Sequence, residues 1–497
     1  MSAEFDDIQG LLRFGYKHHT EACFLLLRVK DPQAARAWLA SAPVTSAVSV
    51  EPPPATALQL ALSSEGLRAL GLPEDIVNAF SPEFVSGLGQ DASRARRLGD
   101  VGPNAPSQWD WGIGAYTPHL LLMLYALPGR LAAWQSAIEA QCEAGFTLLQ
   151  RLDCSNMHGV EPFGFTDGIS QPQLDWERER PARDAEQPRY SNLCCLGEFL
   201  QGYPNEYGGY TDRPLLPPER DTQALLPRAE DAPDQADLGR NGSYLVLRQL
   251  QQDVHGFWRT LNALAGGDAA RREQIGAAMV GRTLQGVSLA ATQNVPLMAD
   301  GKPDLNDFSY AHDPQGSRCP LGAHVRRANP RTADLPPGRP GAISWLVRTL
   351  GFDADALGQD LVASTRFHRL LRRGREYGSS VTPAQAVAGP LAGDTGIHFI
   401  CLGANIARQF EFVQSAWLAS THFDGLHNES DPLLGTRPPN ADGSLADGFS
   451  MPQSQGPDHC IAGLPQFVRV RGGAYFFLPG LRALRYLVTA ATEGDAR

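Results

Sequence analysis

Three short fragments hold the residues best suited to chemistry. The first, GFTDGISQP at residues 164–172, frames Asp167 between Gly164 and Gly168 and closes at Pro172. Paired glycines let a backbone turn tightly beside a ligand, although an aspartate next to glycine is most often only a turn residue. The second, RCPLGAHVRRANPR at 318–331, sets His324 between small residues and three arginines, Arg326, Arg327 and Arg331. Neutral imidazole is a good axial ligand for haem iron, and the arginines could neutralise two propionates. The plainer alternative is one of 12 histidines beside a solvated charged face. The third, HRLLRRGREYG at 368–378, carries Arg372 and Arg373. Such a run is usually surface, but Leu370 and Leu371 suggest that one arginine is carried inward on a strand or turn. There a permanently charged guanidinium stabilises developing negative charge.

The elements that must position these residues repeat one plan. Four segments, CFLLLRVKDPQAARAW, HLLLMLYALPGRLAAW, YLVLRQLQQDVHGFW and IHFICLGANIARQFEFVQSAW, each pair an apolar strand with a helix that carries an aromatic. The strand parts (23–29, 119–126, 244–250, 398–403) are rich in Leu, Ile, Val and aromatics, and the helical parts return apolar residues every three to four positions. Further strands are expected at 57–62, 146–152 and 467–477. Trp38, Trp134, Trp258 and Trp417 fall at similar places and read as helix-to-sheet packing. Two strand–helix units before residue 155 and two after 240 imply duplication. The expected class is α+β, with two ferredoxin-like β-α-β-β-α-β domains at 1–211 and 240–497 joined by a Pro-, Asp- and Arg-rich linking loop at 212–239. Helices on one face of each sheet would leave the other free to line a cavity. A second irregular stretch, 329–342, with a short helix near 343–350, reads as a surface excursion.

At 497 residues the chain is long enough for more than one core, and 42% apolar with 20% charged residues is ordinary for a soluble globular protein. A net charge of −11 repels phosphate backbones and anionic lipid, so nucleic acid and membrane surfaces are not expected partners. The longest apolar run, Leu120 to Leu127, is far short of the roughly 20 residues a membrane span needs. Eight cysteines without a CxxC pair suit buried thiols in a reducing setting. With an acidic start that lacks a secretory pattern, this leads to the expectation of a free cytosolic protein.

The three fragments occur in the order GxxDG, CPxGAHxRxxNPR, HxxxRRGxxYG, and this conjunction resembles the dye-decolorizing peroxidase family. The similarity runs on through DIQGLLRFGYK, GEFLQGYPNEYG at 197–208, LGRNGSYLVLRQLQQDVHGFW at 238–258 and ANIARQFEFVQSAW at 404–417, nearly the whole chain. Its length is closer to the larger bacterial and fungal branch. One departure is Pro162, where family members often have His before the Phe of the first motif. The resemblance implies a haem b enzyme, one haem per chain, lying mainly in the second domain. It implies that Asp167 is the distal acid–base group, His324 the iron ligand, and Arg372 the distal arginine beside the haem.

Hydrogen peroxide and an organic one-electron donor, such as a dye or phenol, are then the expected partners. Oligomeric state, homo-oligomers included, is left open. An aspartate stays ionised in mildly acidic solution, so an acid-shifted optimum is expected. Glu411 is a candidate for the outer nitrogen of His324, with a helix-surface carboxylate as the plainer alternative. Tyr377, five residues from Arg372, is a candidate electron relay, with packing as its alternative. The rivals to a peroxidase are a haem carrier or sensor using the same histidine, and another haem reaction on a related scaffold.

Overall fold

The computed structural model describes residues 3–179, 192–291, 303–331, 364–390, 393–440, 442–453 and 455–494, with Met298 and Gly301 between them. The excursion expected at 329–342 and its helix near 343–350 lie, from residue 332 on, outside the described residues.

The first half runs β1 (Glu21–Val29), α1 (Pro32–Ser41), β2 (Thr56–Leu62), β3 (Leu120–Ala126), α2 (Leu131–Cys142) and β4 (Phe146–Asp153). The second runs β5 (Ser243–Gln252), α3 (Val254–Leu264), α4 (Ala269–Val280), α5 (His324–Ala328), the short strands β6 (Leu371–Arg372) and β7 (Arg375–Tyr377), and β8 (Gly396–Gly403). Two π-helical segments, Ala407–Glu411 and Val413–Leu418, then β9 (Val468–Leu478) and α6 (Leu481–Gly494), complete it. The seven expected strands all form, each within a few residues of its expected span.

Within each half the strands are antiparallel and follow the ferredoxin-like order, β2-β3-β1-β4 in the first and β6/β7-β8-β5-β9 in the second. The halves are not separate sheets: Phe477 on β9 pairs with Leu62 on β2, giving one nine-stranded sheet. The 212–239 stretch folds back on itself, pairing Leu215–Leu216 with Ala236–Asp237, and Arg213 in it forms a buried ion pair with Asp237 at 2.7 Å. After β9 the chain returns to the first half, where α6 packs on α1 and Ala483, Leu484 and Leu487 join the core around β1.

Alternation along the strands sorts side chains onto two faces. Cys23, Leu25 and Leu27 on β1 with Leu120, Leu122 and Leu124 on β3 meet Trp38 and Ile138 on the helical face. Phe24, Leu26, Leu121 and Met123 face the opposite side, covered by Ile8, Leu11 and Leu12 from the N-terminal segment and by Leu196, Phe199 and Leu200. Burial on both faces explains why these strands read as continuous apolar runs. Three of the four marker tryptophans, Trp38, Trp258 and Trp417, are buried, and Trp134 packs partly buried against the same core. Among the described residues no helix is long and apolar enough to cross a membrane.

Candidate active site

Arg372 sits on β6, where alternation separates it from its neighbour. The Arg373 guanidinium turns away to donate to the carbonyls of Leu11 and Leu12, at 2.7 and 3.1 Å, while Arg372 faces a cavity. Gln171 clamps the Arg372 backbone from both sides: its Oε1 accepts from the Arg372 N–H and its Nε2 donates to the Arg372 carbonyl, both at 3.1 Å. With its backbone fixed, Arg372 donates from Nη1 to Asp167 Oδ1 at 3.0 Å and from Nη2 to the Ser170 carbonyl at 3.3 Å.

Asp167 lies in a loop that follows β4. Its N–H donates to the Gly159 carbonyl at 3.0 Å, and Thr166 donates from both backbone and hydroxyl to the Leu284 carbonyl. Gly164, with φ +96°, and Gly168, with φ +74°, provide left-handed turns on either side that other residues would adopt only under strain. Asp167 and Arg372 lie deep in the protein, yet present 34% and 32% of their side-chain surface, because both open into the cavity. Burial pushes the Asp167 carboxyl upward, but the Arg372 guanidinium and the Gly168 N–H together hold it below its ordinary value.

His324 opens α5 and lines the same cavity. Its Nδ1–H donates to Asp431 Oδ2 at 2.9 Å, and the Asp431 carboxylate, fully buried, also accepts from the N–H groups of Leu433 and Leu434 at 2.9 and 2.8 Å. Burial lowers the imidazole and raises the carboxyl, but the mutual attraction outweighs both, so His324 is shifted up and Asp431 down. Anchoring Nδ1 to a carboxylate sets the tautomer and leaves the Nε2 lone pair as the donor. Among the described residues Nε2 has no hydrogen-bond partner.

The cavity encloses about 1830 Å³ of atom-free space, its open mouth included. Its walls are chiefly apolar, with Ile397 and Phe399 from β8, Val468 and Val470 from β9, and Val413 and Leu418 from the π-helical segment. These strand positions share a face with Cys401, Tyr244 and Val246, which pack in the helical-face core. The cavity thus lies between sheet and helices, not on the helix-free face that the sequence suggested. The helix-free face is filled by the N-terminal segment and residues 196–203 instead.

Asp167, His324 and Arg372 therefore meet at one cavity, but several neighbours fall elsewhere. Glu411 does not touch His324 and is not a surface carboxylate. It is 6% exposed, paired with Arg94 at 2.7 Å, and accepts from the Tyr475 hydroxyl at 2.9 Å. The residue on the outer nitrogen is Asp431, which lay unmarked in HNESDP because nothing local to that run shows a contact 107 residues away. Arg326, Arg327 and Arg331 are not among the described residues lining the cavity. Arg326 pairs with Asp313 at 3.2 Å, Arg327 donates to the carbonyls of Trp417, Ser420 and Glu429, and Arg331 to those of Asn306 and Phe308. They are buried struts, which a charged run in sequence cannot be told from a solvated face. Tyr377 is 8% exposed and stacks on His398 with ring centroids 4.5 Å apart, so it offers little outer surface to a dye.

No protein-family model matches the chain. It is 26% identical over 510 residues to a dye-decolorizing peroxidase of Auricularia auricula-judae, covering 97% of this chain and 86% of that one. It is 29% identical over 458 residues to the multifunctional dye peroxidase DyP2 of an Amycolatopsis species, covering 86% and 82%. The crystal structure of a fungal DyP-type peroxidase from Auricularia auricula-judae matches with a TM-score of 0.72 at 25% identity, over 98% of this chain and 100% of that one. Fold and relatives together define a peroxidase built on a doubled α+β scaffold. Within that class the relatives and structures it is similar to are dye-decolorizing peroxidases.

Proposed function

We propose that the cavity holds one haem b through His324, and that the chain uses it to cleave hydrogen peroxide heterolytically and oxidise dyes, phenols or other one-electron donors. The observation that carries this reading is the Asp167–Arg372 pair, 3.0 Å apart, opening into the same cavity as an imidazole whose other nitrogen is held by a carboxylate.

The donor set fits this group. Among the described residues no cluster of three or more His, Cys, Asp or Glu side chains is placed to hold a bare metal ion. A single imidazole at the wall of a largely apolar cavity suits a metal whose remaining ligands come from a macrocycle. When bound, the haem supplies an iron to which peroxide binds and the electrons that break its O–O bond.

The chain's own residues manage protons and charge. Asp167, ionised because Arg372 and the Gly168 N–H hold it low, accepts the proton from the inner peroxide oxygen and returns it to the outer one, which leaves as water. Arg372 stabilises negative charge on that departing oxygen, and Gln171 keeps its backbone in place. Asp431 accepts the His324 Nδ1–H and strengthens Nε2 as an electron-pair donor. A carboxyl held below its ordinary value remains a base in acid, which supports an acid-shifted optimum. The eight free cysteines support a reducing, cytosolic setting.

Titrating the protein with haem while recording its absorption spectrum tests the ligand. One equivalent should saturate the wild type with an imidazole-ligated spectrum, and His324→Ala should lose that signature. An unchanged spectrum in the variant would remove His324 from the role.

A further inference from the structure

We propose that Glu161 is a positioning residue for Asp167, tying the loop that presents the aspartate to β5 through Gln252. The inference rests on the distal role proposed above and concerns a residue six positions earlier in the same loop.

Three donors converge on the Glu161 carboxylate. Oε1 accepts from the Phe165 N–H at 3.0 Å, and Oε2 accepts from the Phe163 N–H at 3.1 Å and from Gln252 Nε2 at 2.9 Å. The backbone closes the same turn, with the Glu161 N–H donating to the Phe165 carbonyl at 2.9 Å and the Gly164 N–H to the Glu161 carbonyl at 2.7 Å. Val160 and Thr166 bridge antiparallel, so the carboxylate fills a narrow hairpin whose outgoing strand delivers Asp167.

Apolar contacts hold the turn against α3. Phe163 packs on Phe257, Phe165 stacks on Trp258, and the Trp258 indole donates to the Phe163 carbonyl at 2.9 Å, all on α3. Among the described residues the Glu161–Gln252 bond is the side-chain hydrogen bond that joins the turn to the sheet. Gln252 is 8% exposed and lines the cavity, as Glu161 does. Breaking this tie leaves the turn held by α3 and by the Thr166 bonds to the Leu284 carbonyl but no longer tied to β5, and a shift of an ångström at Asp167 is enough to impair proton transfer.

Glutamine at 161 has one acceptor oxygen for three donors, and leucine at 252 removes the sheet partner without touching the hairpin. In Glu161→Gln and Gln252→Leu, the second-order rate with peroxide should fall about tenfold to a hundredfold. The rate with a one-electron donor at saturating peroxide should hold, since oxidation of the donor and not cleavage of peroxide then limits turnover. Amide hydrogen exchange at Phe163 and Phe165 in the haem-free protein should quicken in Glu161→Gln, with the core strands unaffected. Glu161→Ala should exceed Glu161→Gln in both respects. An unchanged peroxide rate in both single variants would overturn the proposal, as would equal losses in both rates with faster exchange throughout. Asp167→Asn is measured alongside: if it too leaves the peroxide rate unchanged, the distal reading itself has failed, whereas a slow Asp167→Asn beside a fast Glu161→Gln rejects only Glu161.

Discussion

The two halves of the sheet share a strand order and differ in what their helical faces enclose. In the first half, Leu25, Leu27, Leu122 and Leu124 lie directly under Trp38 and Ile138, and the layer is closed. In the second, the corresponding face presents Arg248, Leu250, Gln252, Ile397, Phe399, Val468 and Val470 to a gap, and the π-helical segment and α5 form the far wall. One topology thus serves once as a packed core and once as a container. The difference lies in side chains that leave room and in irregular helix at 407–418, where the first half has the regular α2. Two residues of the candidate site come from outside its regular sheet and helix layers: Asp167 from the connection that leaves β4, and Asp431 from a loop after the π-helical segment.

This contrast is sharpest when one apolar residue is removed from each half. Leu25→Ala should destabilise the protein by about 2–5 kcal/mol in denaturant unfolding, as expected for a filled core, with the peroxide rate of haem-loaded molecules unchanged. Phe399→Ala, whose ring faces existing space, should cost the haem-free protein less and instead speed haem loss to an acceptor protein. Equal stability losses with equal haem retention would break the comparison.

A smaller effect is expected at the buried pair. Asp431 is held below its ordinary 3.8, so its contribution to stability is present above that pH and lost as pH falls through the lowered value. His324 is held above its ordinary 6.5, so its contribution is present below that pH and lost as pH rises through the raised value. In the haem-free protein, the melting-temperature deficit of Asp431→Asn should therefore be greatest between 3.8 and 6.5. There it should correspond to about 1–3 kcal/mol. A deficit independent of pH would contradict the pairing.

The strands were readable in sequence because burial on both faces leaves long apolar runs with little else to confuse them. β6 and β7 were not, being two and three residues long and broken at Gly374. What the sequence suggests there, an arginine carried inward beside Leu371, is met by Arg372. The helical part of IHFICLGANIARQFEFVQSAW reads as an ordinary helix and is π-helical over Ala407–Glu411 and Val413–Leu418, a difference in hydrogen-bond register that apolar spacing does not reveal. Asp167, His324 and Arg372 are picked out by the conjunction of their motifs and line one cavity, whereas Asp431, Gln171 and Glu161 join the candidate site through contacts that only the folded chain creates. Charge was the least informative signal, since Arg326, Arg327 and Glu411 are all buried and paired within the protein.

The central claim is that Asp167 moves a proton for peroxide cleavage at a haem held by His324. Stopped-flow absorption of the haem-loaded protein mixed with peroxide, wild type against Asp167→Asn, addresses it directly. The predicted result is a rapid spectral change in the wild type and one slower by about 10²–10⁴ in the variant, with the resting spectrum preserved. Equal rates in the two proteins, or no spectral change in the wild type, would contradict it.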